Sequence, residues 1–133
     1  MKGVMPQEIE VWYILPALRK EFSKIMIEKG KKQREIAKKL YITEAAVSQF
    51  IKGKRGGNLE FTEEIKKEVH ESVERLLKTG NIVQEFQFLC RKIRESKMLC
   101  DIHKKYGFTP PECEVGIVCL EENQNGTPTI RNQ

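Results

Sequence analysis

The sequence predicts an all-α fold. Apolar residues recur at three- and four-residue spacing from residue 16 to about residue 96, the period of a helix with one buried face. Capping residues and glycines divide that pattern at helical lengths: Gly30, Thr43, Thr62, Gly80, Asn81 and Gly107. One short stretch, residues 113–120, reads as a strand or extended segment.

Residues 1–15 read as extended or partly helical, with Trp12, Tyr13, Ile14 and Leu15 consecutive and able to pack. Pro16 suits a first helical turn, where its missing N–H does no harm. A helix is expected over residues 16–29, with Leu18, Phe22, Ile25 and Met26 as its buried stripe and Gly30 as its stop. A short helix pair follows within residues 33–52. Ile36, Ala37 and Leu40 line one face of its first helix, Ile42 plugs the turn, and Val47, Phe50 and Ile51 line the inner face of the second. Ala37 is small where the two helices would cross. Thr43 can cap the second helix by accepting a bond from a free backbone N–H.

Past the pair, Gly53-Lys54-Arg55-Gly56-Gly57 reads either as a flexible connector or as a loop that brings backbone N–H groups and two cations to an anion. Thr62 should cap a helix over residues 63–78, with Ile65, Val69, Val73, Leu76 and Leu77 as its stripe. Asn81 should start another, to about residue 96, with Ile82, Phe86, Leu89 and Ile93. The near-heptad spacing of these stripes fits a dimer interface and an internal core equally. A last helix is expected over residues 98–106, and the polar tail 121–133 reads as disordered.

The pair at 33–52 has the pattern of a helix-turn-helix. Glu44, Ala45, Ser48, Gln49 and Lys52 fall together on the face of the second helix opposite its apolar side. A small, polar face of that kind can enter a major groove and reach base edges. Gln33 opens the motif, and Lys54 and Arg55 follow it. Residues 1–58 hold 13 Lys and Arg against 6 Asp and Glu, whereas residues 59–133 hold 11 against 13. The basic half is therefore the half with the motif, as binding to a polyanion requires.

Residues 33–52, with Gly53-Lys54-Arg55-Gly56, resemble the helix-turn-helix of the lambda-repressor/Cro-like (XRE-type) transcriptional regulators. The resemblance covers roughly residues 16–60. It implies double-stranded DNA as partner, a homodimer, and contacts from Gln33, Thr43, Glu44, Ala45, Ser48, Gln49, Lys52, Lys54 and Arg55. The chain departs from the family at Tyr41, where a glycine is usual and a left-handed residue is often wanted. Tyr adopts that conformation at a cost of about 1 kcal/mol.

All four cysteines lie in residues 90–119. Cys100 and His103 stand one helical turn apart, and Cys113 and Cys119 follow the Pro110-Pro111 turn. Four thiolates would suit an iron–sulfur cluster; three with His103 would suit zinc. Against this, there is no Cys-x-x-Cys pair, and Cys90 occupies an apolar-face position typical of an unligated buried thiol. The chain also resembles an archaeal group of such regulators with a Cys/His-rich end, whose cysteines come in Cys-x-x-Cys pairs. Here Gln87 stands three before Cys90 and Gly116 three after Cys113.

The expected organisation is a helix-turn-helix DNA-binding domain over residues 1–80, a helical Cys/His region for dimerisation or sensing over 81–120, and the tail. No run of about 18 apolar residues suggests a membrane span, and the N-terminus lacks a cleavage signal. A cytoplasmic location is expected. Nothing resembles a catalytic triad, a paired-acid site or a phosphate-cradling loop, so the chain reads as a non-enzyme. The leading expectation is a sequence-specific transcriptional regulator, with metal, iron–sulfur or redox state as a candidate signal. The alternative is an RNA-binding or antitoxin-like module with purely structural cysteines.

Overall fold

The computed structural model describes residues 5–106, the side chain of Tyr106 excepted. Every regular element among them is helical: α1 (Pro6–Ile9), a π turn (Glu10–Ile14), α2 (Leu15–Glu28), α3 (Gln33–Leu40), α4 (Glu44–Ile51), α5 (Glu63–Thr79), α6 (Ile82–Glu95) and α7 (Met98–Tyr106). The strand-or-extended segment at 113–120 and the tail lie outside the described residues.

The N-terminal stretch corrects the expected helix start. α1, the π turn and α2 form one continuous helical run, because the backbone stays right-handed through Ile9, Glu10, Ile14 and Leu15. Pro16 lies inside this run. A proline within a helix lacks an N–H and crowds the carbonyl four residues back, here that of Trp12. The π turn covers that position. Its wider ring, closed by the Leu15 N–H donating to the Glu10 carbonyl, gives the proline ring room. The same run places Ile9 and Ile14 in the core and leaves Trp12 54% exposed.

α2 is the hub. It packs against α3, α4, α5 and the π turn, with Ala17, Leu18, Phe22, Ile25 and Met26 buried. Gly30, at φ 83°, ends the hub. Its N–H donates to the Ile27 carbonyl and that of Lys31 to the Met26 carbonyl, so the last turn is satisfied before the chain turns into α3.

α5 and α6 form an antiparallel hairpin. Thr62 Oγ1 accepts from the Ile65 N–H at 3.3 Å, and Asn81 Oδ1 accepts from the Gln84 N–H at 3.0 Å. Gly80, left-handed at φ 75°, joins them. Ile65, Val69, Val73 and Leu76 are buried, as are Ile82, Leu89 and Ile93, all within one hydrophobic core that runs from Ile9 to Ile102. Of the two alternatives for these stripes, the internal core is the one found, with Leu77 and Phe86 partly buried at its edge. The hairpin is tied by Arg75, whose Nε donates to both carboxylate oxygens of buried Glu85 at 3.0 and 3.2 Å. A second tie joins α6 to the π turn: Arg94 donates to Glu10 at 2.8 Å. α7 packs across α1 and α6.

The glycine-rich connector is anchored. Leu59 and Phe61 pack into the core, and Lys20 Nζ donates to the Gly57 carbonyl at 2.9 Å. Gly56, at φ +91°, lies so close to α2 that a Cβ there would stand 2.8 Å from Lys20 Cβ and 3.1 Å from the Pro16 carbonyl oxygen. Gly53, also left-handed, faces open space. Gly56→Ala should therefore destabilise by about 2 kcal/mol or more, combining left-handed strain with a collision, and Gly53→Ala by about 1 kcal/mol from strain alone. Urea unfolding of the two variants checks the ordering; equal losses would show that the approach to α2 carries no weight.

Candidate functional site

The helix pair α3–α4 is built by local rules. Three residues, Tyr41, Ile42 and Thr43, join two eight-residue helices. Tyr41 adopts the left-handed conformation expected of it, φ 56° and ψ 43°, and the Tyr41 and Ile42 N–H groups both donate to the Ala37 carbonyl. Thr43 takes the extended conformation of an N-cap, and its Oγ1 accepts from the Ala46 N–H at 3.0 Å. Ile36, Ala37 and Leu40 of α3 are buried, as are Ala46, Val47 and Phe50 of α4, and Ile51 is half-buried. The inner faces match the sequence pattern, with Ala46 an addition.

The outer face of α4 is correspondingly free of packing duty. Glu44, Ala45, Gln49 and Lys52 are exposed and Ser48 is half-buried. Gln33 is exposed at the start of α3, and Thr43 is exposed beside its cap bond. At the far end Gly53, φ 75°, closes α4: its N–H donates to the Phe50 carbonyl and that of Lys54 to the Gln49 carbonyl. The closure holds Lys54 and Arg55 beside the last turn of α4. The Arg55 guanidinium lies 5.8 Å from the centre of the Phe50 ring.

Sequence reasoning missed the other flank. Arg34, Lys38 and Tyr41 line one side of an open groove of about 550 Å³ that Glu44 closes at the start of α4. Tyr41 is 76% exposed. Their spacing, 34, 38 and 41, is the ordinary helical period, so the same pattern that found the inner face carries this outer one. Among the described residues, Arg34, Lys38, Lys52 and Lys54 make no ion pair. The face thus presents a central strip of hydrogen-bonding side chains with unneutralised cations on both sides. Glu44 is its one carboxylate.

The cysteines divide. Cys90 is buried in the core between α6 and the N-terminal helical run. Its thiol is raised from 9.0 to about 11, chiefly by burial and then by the Glu10 carboxylate, with Arg94 partly opposing the rise. The neutral thiol packs as a small apolar side chain. Cys100 and His103 lie one turn apart on α7, as their spacing predicts, and both are buried. Cys113 and Cys119 lie outside the described residues. Among the described residues, no three His, Cys, Asp or Glu side chains gather where they could hold a metal ion. Gln87, at the position of a Cys-x-x-Cys partner to Cys90, is exposed while Cys90 is buried.

The Cys90 shift has a definite sign. The folded chain holds this proton more tightly than the unfolded chain, so the contribution is fully present below pH 9 and is lost as pH rises toward about 11. The loss should be on the order of 2 kcal/mol. The difference in stability between wild type and Cys90→Ala should therefore shrink between pH 8.5 and pH 10.5 (each about half a unit below an end of that window). A pH-independent difference in urea melts would contradict the burial argument.

No helix among the described residues is long and apolar enough to cross a membrane. Set beside known proteins, the chain matches no family model, no curated protein and no solved structure.

Proposed function

We propose that the chain is a sequence-specific double-stranded-DNA-binding regulator that reads base edges with the outer face of α4. One observation carries this reading. The capped helix α4 buries Ala46, Val47 and Phe50 on one side and offers Glu44, Ala45, Ser48, Gln49 and Lys52 on the other, between the cations of α3 and those of the following loop. In this reading Arg34, Lys38, Lys54 and Arg55 meet phosphates on the two sides of the groove and supply most of the affinity. Gln49 fits the bidentate pairing to adenine, Glu44 accepts from a cytosine amino group, and Ser48 donates or accepts at either base. Ala45 brings only a methyl group, which suits contact with thymine. Phosphates repel Glu44, and its place at the start of α4, beside Arg34 and Lys38 across the groove, lets those cations offset that repulsion.

Selection from a randomised duplex library tests the proposal. The expected result is enrichment of a defined short sequence whose affinity falls steeply with salt. Recovery of single-stranded RNA in preference to duplex, or no enriched sequence at all, would overturn it. A signalling role for the cysteines forms no part of this proposal: among the described residues Cys90 lies in the core and Cys100 and His103 share one turn of α7, with no third ligand gathered beside them.

A further inference from the structure

A groove of about 790 Å³ lies on another side of the molecule, between the π turn, the connector that follows α4, and α7. Its apolar lining comes from Trp12, Tyr13, Pro16, Leu59, Met98 and Ile102. The volume is in the range that anchored ligands and peptide side chains fill. Trp12 is 54% exposed there. A tryptophan has more apolar area to hide than any other residue and is highly buried on average. The groove therefore leaves Trp12 without a cover among the described residues, on a lining that also carries Glu60, Asp101 and Lys105.

We propose that residues 115–120 of the same chain, Val-Gly-Ile-Val-Cys-Leu, fill this groove as an intramolecular strap. The chain leaves α7 at the groove, because Lys105, in the last turn of that helix, is one of its lining residues. Eight residues, 107–114, separate position 106 from position 115, a reach of up to about 30 Å over nine Cα steps, so the strap need not be stretched. Residues 115–120 are the one uncharged apolar run in the 27 residues that follow α7. Its flanks are acidic or polar, with Glu112 and Glu114 before it and Glu121 and Glu122 after it. A short tether holds such a segment at millimolar effective concentration, which favours it over a second copy of the chain. The docked strap bridges α7, the π turn and the connector, and so braces the loop that holds Lys54 and Arg55.

The strap has a consequence for the cysteines. Met98, Asp101, Ile102 and Lys105 form the groove face of α7. At 100° per residue, Cys100 and His103 fall on the opposite face. A strap in the groove holds Cys119 across the helix from them, and the three do not converge on one ion.

Trp12 is the single tryptophan of the chain and reports directly on the groove. Acrylamide quenching of the full-length protein should find Trp12 shielded, equally at low and high protein concentration. Ile117→Asp should shift its emission to the red and raise its quenching, with far-UV helix content unchanged. Ile130→Asp, in the tail beyond the strap, should leave it as in wild type. Freely quenched Trp12 in wild type would overturn the proposal, as would shielding that grows with protein concentration, which marks a second copy. Shielding indifferent to Ile117→Asp would overturn it too. So would stoichiometric zinc or iron in anaerobically purified protein that Cys119→Ser and Cys100→Ser both release.

Discussion

Phe22→Ala should destabilise the chain by about 3–5 kcal/mol, the loss typical of a large aromatic side chain removed from a packed core. Phe22 is fully buried at the centre of α2, the helix against which α3, α4 and α5 all pack. Its ring meets that of Phe86 edge to face, with centroids 5.1 Å apart and planes at 83°. Such a pair adds about 0.5–1.5 kcal/mol beyond the buried area. A domain of ordinary stability, about 5–15 kcal/mol, would lose a large part of its margin. Phe86→Ala should cost less, since Phe86 is only half-buried. Urea unfolding with an unchanged m-value is the measurement. A loss below about 1 kcal/mol would mean that α2 is not the hub of the core.

The helix pair was legible in the sequence because its determinants are local. An apolar stripe of period 3.6, a threonine before a helix and a glycine after one each act within a few residues, and all agree. α5 and α6 were legible for the same reason, down to their caps Thr62, Gly80 and Asn81. Whether their stripes faced a partner or the chain's own core was not, because that depends on α2, far away in sequence. The N-terminal run was misread because Pro16 is a strong local start signal. A π turn has no comparable sequence mark, and here it removes the clash that would have made the signal correct. Leu59 and Phe61 reach the core from an irregular connector, where no period points to them. The Arg75–Glu85 pair joins two helices across Gly80, and Lys97 is left-handed, φ 69°, where no glycine announces a stop. On the candidate site, the outer face of α4 was legible as the complement of its inner face. The Arg34–Lys38–Tyr41 flank follows from the same period once α3 is known to leave that side uncovered.

Gln49→Ala should weaken binding to the best duplex by about 1–3 kcal/mol and relax the sequence preference at one base position. Gln49 is exposed at the middle of the outer face and its backbone carbonyl is already used by the Lys54 N–H, so the substitution removes a side-chain reader while the helix end stays closed. Lys54→Ala should act differently. It should weaken all duplexes alike and reduce the slope of log affinity against log salt by about one. Its backbone N–H keeps the closing bond to Gln49 in either variant. Titrations of a preferred and a scrambled duplex at two salt concentrations separate the two effects. Equal losses on both duplexes for Gln49→Ala would remove it from base reading.

Amide chemical shifts followed while a preferred duplex is added to the protein test the central claim most directly. The account predicts that the shifts concentrate at Gln33, Arg34 and Lys38, along residues 43–52 and at Lys54 and Arg55, with the α5–α6 hairpin little changed. Shifts centred on the hairpin or on α7, with α4 unmoved at saturating duplex, would contradict it.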